Sequence, residues 1–166
     1  MDSERNSLSI DLIEKVGEVK YLNIVSNSRD EGTVKEDFRD LIKQTYFDAE
    51  SRSDPERITS KSLHRNKENL DGMMRFAFKN LEKTLKDFEI KIDGEGNFFM
   101  DVTKDSENFS ITGNGQLVER DSRKLLIWPR NTKRIEVETR SRVFDAAAKT
   151  SLLKHWTEWV EKSLKE

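Results

Sequence analysis

"TSKSLHRNKENLDGMMRFAFKNLEKTLKDF", residues 59–88, is the stretch on which the fold turns. Leu63, Leu70, Met74, Ala77, Leu81, Leu85 and Phe88 stand three, four or seven residues apart, and Met73 and Phe78 widen the stripe. That near-heptad spacing predicts one long helix from about Thr59 to Phe88. Such a helix would lie across a sheet or stand out as a coiled-coil arm for a second copy of the chain. The flanking apolar residues favour the first. The second would make the chain a homo-oligomer through the long helix.

Upstream, the polar residues 1–7 read as a flexible start. In "SIDLIEKVG", Ile10, Ile13 and Val16 have helical spacing and Gly17 suits the position just past a helix end. "EVKYLNIVS" then alternates as a strand. "TVKEDFRDLIKQTYF" predicts a second helix, opened by a capping box of Thr33 and Glu36. Its stripe is Phe38, Leu41, Ile42, Thr45 and Tyr46. "DAESRSDP" breaks the pattern, and Asp54–Pro55 suits the start of the next element.

Downstream, the period changes to two. Phe88, Ile90 and Ile92 alternate with charged residues, "DGEGN" turns the chain, and Phe98, Met100 and Val102 alternate after it. "KDSE" reads as another turn. Phe109 and Ile111 lead into Asn114–Gly115, the commonest two-residue hairpin signal. "QLVER" would pair back, "DSRK" turn, "LLIW" form a strand, and "RIEVETR" close the series. Leu125, Ile127 and Trp128 would belong to the core. A helix from about Val143 would carry Phe144, Ala148, Leu152, Trp156, Trp159, Val160 and Leu164 on one face. The result is a single α+β domain over residues 1–166: an antiparallel β-meander of about 5–7 strands, packed against a long helix and a C-terminal amphipathic helix, with additional N-terminal helices. Over its second half, this element order resembles a pleckstrin-homology layout; no motif residue carries the resemblance.

Composition narrows the function. There are 166 residues and no cysteine. Disulfide scaffolds, thiol nucleophiles and cysteine-based zinc sites are excluded. No apolar run approaches the ~18 residues of a membrane span. The start is polar and acidic, unlike a secretory signal, so the expected location is the cytoplasm. Charge is uneven. Residues 120–142 hold eight basic and three acidic residues, a net of +5, whereas residues 1–119 carry a net of −7.

That basic segment holds the candidate site. If "RKLLIW" and "RIEVETR" are neighbouring strands, their ends and the "PRNTKR" connection gather Arg123, Lys124, Arg130, Lys133 and Arg134 on one edge. Arg140 and Arg142 extend the cluster. Guanidinium and ammonium groups so placed suit phosphates of nucleic acid or of another polyanion, and Trp128 could stack on a base. The competing reading is a solvated face whose charges protect sheet edges.

Catalytic material is thin, and no catalytic residue, metal ligand or cofactor is assigned. His64 and His155 lack partners of a catalytic motif. "DGEGNFFMD" places Asp93, Glu95 and Asn97 at EF-hand spacing, but Phe98 and Lys104 occupy its glycine and glutamate positions. Glu136 and Glu138 point one way on a strand, as metal ligands or as members of cross-strand ion pairs. The expected role is a non-enzymatic binding or adaptor module with a protein partner. A nucleic-acid- or polyanion-binding protein is the first alternative and a small metal-dependent hydrolase the last.

Overall fold

The computed structural model describes residues 1–47 and 56–165. Strand β1 (Asp2–Asp11) and strand β2 (Val16–Ser26) lead to helix α1 (Glu31–Ile42), which runs on as a π-helical turn, Lys43–Phe47. Then come β3 (Glu56–Asn66), β4 (Asn69–Phe78), α2 (Leu81–Asp87), β5 (Ile90–Ile92), β6 (Phe98–Asp101) and the single turn α3 (Asp105–Asn108). The chain ends with β7 (Phe109–Gly113), β8 (Gln116–Arg120), β9 (Arg123–Trp128), β10 (Arg134–Ser141), β11 (Thr150–Ser151) and α4 (Leu153–Ser163). It is an α+β fold of antiparallel sheets with short helices.

The stretch 59–88 is a hairpin followed by a short helix. Leu70, Gly72, Met74, Phe76 and Phe78 alternate with Asp71, Met73, Arg75 and Ala77, and the first set turns inward. Glycine at position 72 hides this period of two, so spacings of three and four stand out instead. Lys67 and Glu68 close the hairpin between the paired residues Asn66 and Asn69, with Lys67 at φ 57°. Only Leu81–Asp87 is helical, capped by Asn80, whose side chain accepts from the Lys83 N–H at 3.1 Å. The long helix is absent, and so is the arm through which a homo-oligomer was expected.

The N-terminal expectations also change. Residues 1–7 belong almost wholly to β1, which pairs with both β2 and β10. Ile10 and Val16 flank a loop rather than share a helix. The Asp11 carboxylate accepts from the N–H groups of Ile13 (3.0 Å) and Glu14 (2.9 Å), which folds the chain back. Gly17 lies inside β2, where a Cβ would come within 2.1 Å of Phe76 Cζ; only glycine admits that ring. Helix α1 forms where expected, but Asp30 caps it, accepting from the Thr33 N–H at 2.9 Å. Asp54–Pro55 lies outside the described residues.

From residue 88 the strands are short and antiparallel as read, but they split between two sheets. The large sheet has the order β3-β4-β2-β1-β10-β7, with β11 beside β2; the small one is β5-β6-β9-β8. Asn114–Gly115 turns no hairpin, because β7 pairs with β10 and β8 with β9. Here the chain crosses between sheets. Asn114 accepts from the Trp128 indole N–H (2.7 Å) and the Glu136 N–H (2.9 Å), and donates to the Arg134 carbonyl (2.8 Å). One amide thus ties both sheets together. The "DSRK" turn does form, with Asp121 and Ser122 at φ 51° and 61°. "KDSE" contributes to α3 rather than a plain turn. The strands thus form two sheets rather than one meander.

One face of the large sheet carries two apolar clusters side by side. Leu8, Val19 and Met74 lie in one cross-strand row with the first cluster; Leu63 and Gly72 lie in the next row, where the second begins. The small sheet and α2 cover the first cluster, which includes Ile10, Phe76, Leu85, Leu126, Trp128 and Ile135. Helices α1 and α4 cover the second through Val34, Leu41, Ile42 and Leu153, with Phe38, Trp156 and Trp159 packed around them. The aromatic rings of Tyr46 and Trp159 stack at 5.3 Å between centroids. Each fully buried Leu, Ile, Val or Phe of the two clusters contributes about 1.5–3 kcal/mol before entropy costs. The C-terminal helix begins at Leu153 rather than Val143, leaving Phe144 and Ala148 ahead of it, and Leu164 is exposed.

Candidate functional site

Strands β9 and β10 are not neighbours. The first lies inside the small sheet and the second inside the large one. Arg123 and Lys124 therefore start β9, while Arg130 and Lys133 follow its far end and Arg134 opens β10. Most of these cations are also engaged. Arg123 grips Asp101 Oδ2 at 2.6 and 3.0 Å, Lys124 meets Glu119 at 3.5 Å, Arg134 meets Asp11 at 3.0 Å and Arg140 meets Glu4 at 3.0 Å. Arg142 donates to the Phe109 carbonyl at 3.1 Å. Among the described residues, the side chains of Arg130 and Lys133 have no such partner. Trp128 is fully buried against the first cluster, so it offers no face to a base.

Electrostatics fix these contacts. The Thr103 hydroxyl and then the Arg123 guanidinium hold the Asp101 carboxyl down at about 2. The Asn23 amide, and Arg140 after it, lower Glu4. The N–H of Glu14 and the Arg134 guanidinium do the same for Asp11.

The unbroken run Leu125–Trp128 is apolar on both faces of its strand. Leu126 and Trp128 point into the first cluster, and not Leu125 and Ile127 as the sequence suggested. Alternation sends Leu125 and Ile127 to the outer face of the small sheet. Phe99 stands opposite Ile127, and Val118 opposite Leu125. These four residues are half-buried and none packs on the first cluster. They form a patch about 10 Å across the strands and about 7 Å along them. Its rim is polar and mainly cationic: Lys91 opposite Phe99, Gln116 opposite Ile127, Asp101 opposite Leu125, and Arg120 opposite Arg123. Only Arg123 of these three cations meets a carboxylate among the described residues. Arg120 directly facing Arg123 is a like-charge pair, which the Asp101 carboxylate on Arg123 at 2.6 Å offsets. Phe99, Val118, Leu125 and Ile127 were not read as site residues. Their signal was two adjacent apolar letters in "FF" and four in "LLIW", within strands of a kind that usually buries one face only.

A second feature is a cleft of about 600 Å³ on the covered face of the large sheet, between the two clusters. Met74 borders it from the first cluster, and Ile24, Leu41 and Leu63 from the second. The π-helical turn forms its rim, where Thr45 Oγ1 donates to the Leu41 carbonyl at 2.7 Å and Lys61 Nζ donates to the Gln44 carbonyl at 2.5 Å.

The remaining polar candidates have local roles. His64 is exposed on β3 rather than helical, and His155 packs on Phe38 at 5.8 Å. Asp93 turns the β5–β6 hairpin, accepting from the N–H groups of Glu95 and Asn97 at 2.9 Å each. Glu138 pairs with Arg5 at 3.6 Å. Among the described residues, no three His, Asp or Glu side chains converge as metal ligands would, and no helix is long and apolar enough to cross a membrane.

Comparison with protein-family models, with curated proteins and with solved structures gives no match to this chain.

Proposed function

We propose that this protein is a non-enzymatic binding module of the cytoplasm, and that the outer face of the small sheet holds an acidic amphipathic segment of a protein partner. The observation that carries this reading is the patch of Phe99, Val118, Leu125 and Ile127 rimmed by Lys91, Arg120 and Arg123. Apolar side chains of the partner would cover the patch, and its carboxylates would meet the rim. Specific interfaces combine an apolar centre with a charged rim in this way, and the rim steers the partner on. A polyanion such as nucleic acid fits less well, because four of the seven candidate cations already face carboxylates and a phosphate backbone would leave the apolar patch uncovered.

Selection from a random peptide display library tests the proposal, with the Phe99→Asp/Ile127→Asp variant as counter-target. The reading expects wild type to enrich peptides that combine large apolar residues with Asp and Glu. Enrichment of basic peptides, or equal enrichment on the variant, would overturn it. Salt-sensitive retention on single-stranded DNA that survives the double substitution would favour the polyanion reading instead.

A further inference from the structure

We infer that the cleft between the two clusters binds a free long-chain carboxylate, with the chain along Ile24, Leu63 and Met74 and the carboxylate at Lys61. This site is separate from the outer face of the small sheet, and neither depends on the other.

The walls define the chain. Ile24, Leu41, Leu63 and Met74 give the cleft apolar walls, and at Gly72 a Cβ would come within 3.0 Å of Ile24 Cδ1 and 3.4 Å of Leu63 Cδ2, so those side chains already close over the glycine. Met73 and Met74 border the same stretch, and thioether side chains re-pack around a flexible guest. A volume of about 600 Å³ lies within the range of pockets that enclose a small ligand.

Charge defines the head. Among the described residues, Lys61 is the one cationic side chain on the lining and Asp2 the one carboxylate, while the Met1 ammonium, also on the lining, meets Asp37 at 3.8 Å. The Asp2 carboxylate is met by Lys149 Nζ at 2.6 Å, so its charge is already answered. Lys61 has no carboxylate partner among the described residues and donates only to the Gln44 carbonyl of the π-helical turn. An ammonium in partial burial gains most from an anion. Thr45 and Ser62 also line the cleft. π-Helical turns are rare and recur at binding sites, and here one supplies the rim beside the cation.

Titration calorimetry with hexadecanoate, below its aggregation limit, tests the inference against hexadecanol as an uncharged control. Wild type should bind both, the acid at least tenfold more tightly. Lys61→Met should erase that tenfold difference and leave hexadecanol binding unchanged. Gly72→Leu should abolish binding of both. Where that variant does not fold, amide exchange on the wild type answers the same point: hexadecanoate must slow exchange at Leu63 and Gly72–Met74 and leave β8 unchanged. No heat and no added protection with hexadecanoate, or equal affinity for acid and alcohol in wild type, would overturn the assignment.

Discussion

On the covered face of the large sheet, the cluster around Trp128 meets the cleft only through Met74, whereas the cluster around Leu63 borders it through Ile24, Leu41 and Leu63. The first is sheet upon sheet, filled by flat rings and aliphatic side chains from both layers. The second is two helices upon a sheet, meeting it at Leu41, Ile42 and Leu153 and stopping short of Gly72. The difference therefore follows from what covers each half. The first half fixes the small sheet firmly enough that its other face can present Phe99 and Ile127 to a partner.

Matched truncations should separate the halves. Leu126→Ala, in the first cluster, is expected to cost about 3–5 kcal/mol, and Leu63→Ala, beside existing space, about 2–3 kcal/mol, by urea unfolding. Equal costs would mean that the cleft is filled in solution. Next in size is the tie between sheets. Asn114→Ala strands the fully buried Trp128 N–H and should cost about 1–3 kcal/mol, with tryptophan fluorescence reporting the change around that ring. A loss below this range would show that the crossing holds without the amide.

Smaller effects are expected on the outer face. Ile127→Thr keeps a β-branched residue in β9 and should change stability by less than about 1 kcal/mol while weakening partner binding at least tenfold. The smallest effect is with pH. Asp101 titrates at about 2, below its ordinary 3.8, so the folded state gains above about pH 4 and loses this gain as pH falls toward 2. Asp101→Asn should flatten that part of the pH–stability curve, and at neutral pH it should free Arg123 and tighten acidic ligands.

The same contrast explains what the sequence disclosed. The second half of the chain alternates openly, and its strands were legible from Ile90 onward. The β3–β4 hairpin was not, because Gly72 interrupts the alternation and Lys67 takes a positive φ with no asparagine or glycine at either central position of the turn. Asn114–Gly115 misled in the opposite sense. Its asparagine serves as a side-chain link between sheets rather than as a turn residue. Partition of strands between sheets has no local signal, so the neighbours of β9 could not be read, and the basic cluster was assembled on the wrong pairing. Of the residues around the outer face, only Arg123 was read as a site residue; Leu125 and Ile127 were read as core, although the unbroken apolar run Leu125–Trp128 was in plain view.

The central claim is that this outer face, and not the polar face of the large sheet, meets a partner. A photoreactive amino acid placed at Ile127, and separately at Glu136 on the polar face, tests it in the cells that make the protein. The account predicts a discrete protein adduct from position 127 that disappears with Lys91→Glu/Arg120→Glu, and none from position 136. Adducts of equal yield from both positions, or an adduct at 127 indifferent to the charge reversals, would contradict it.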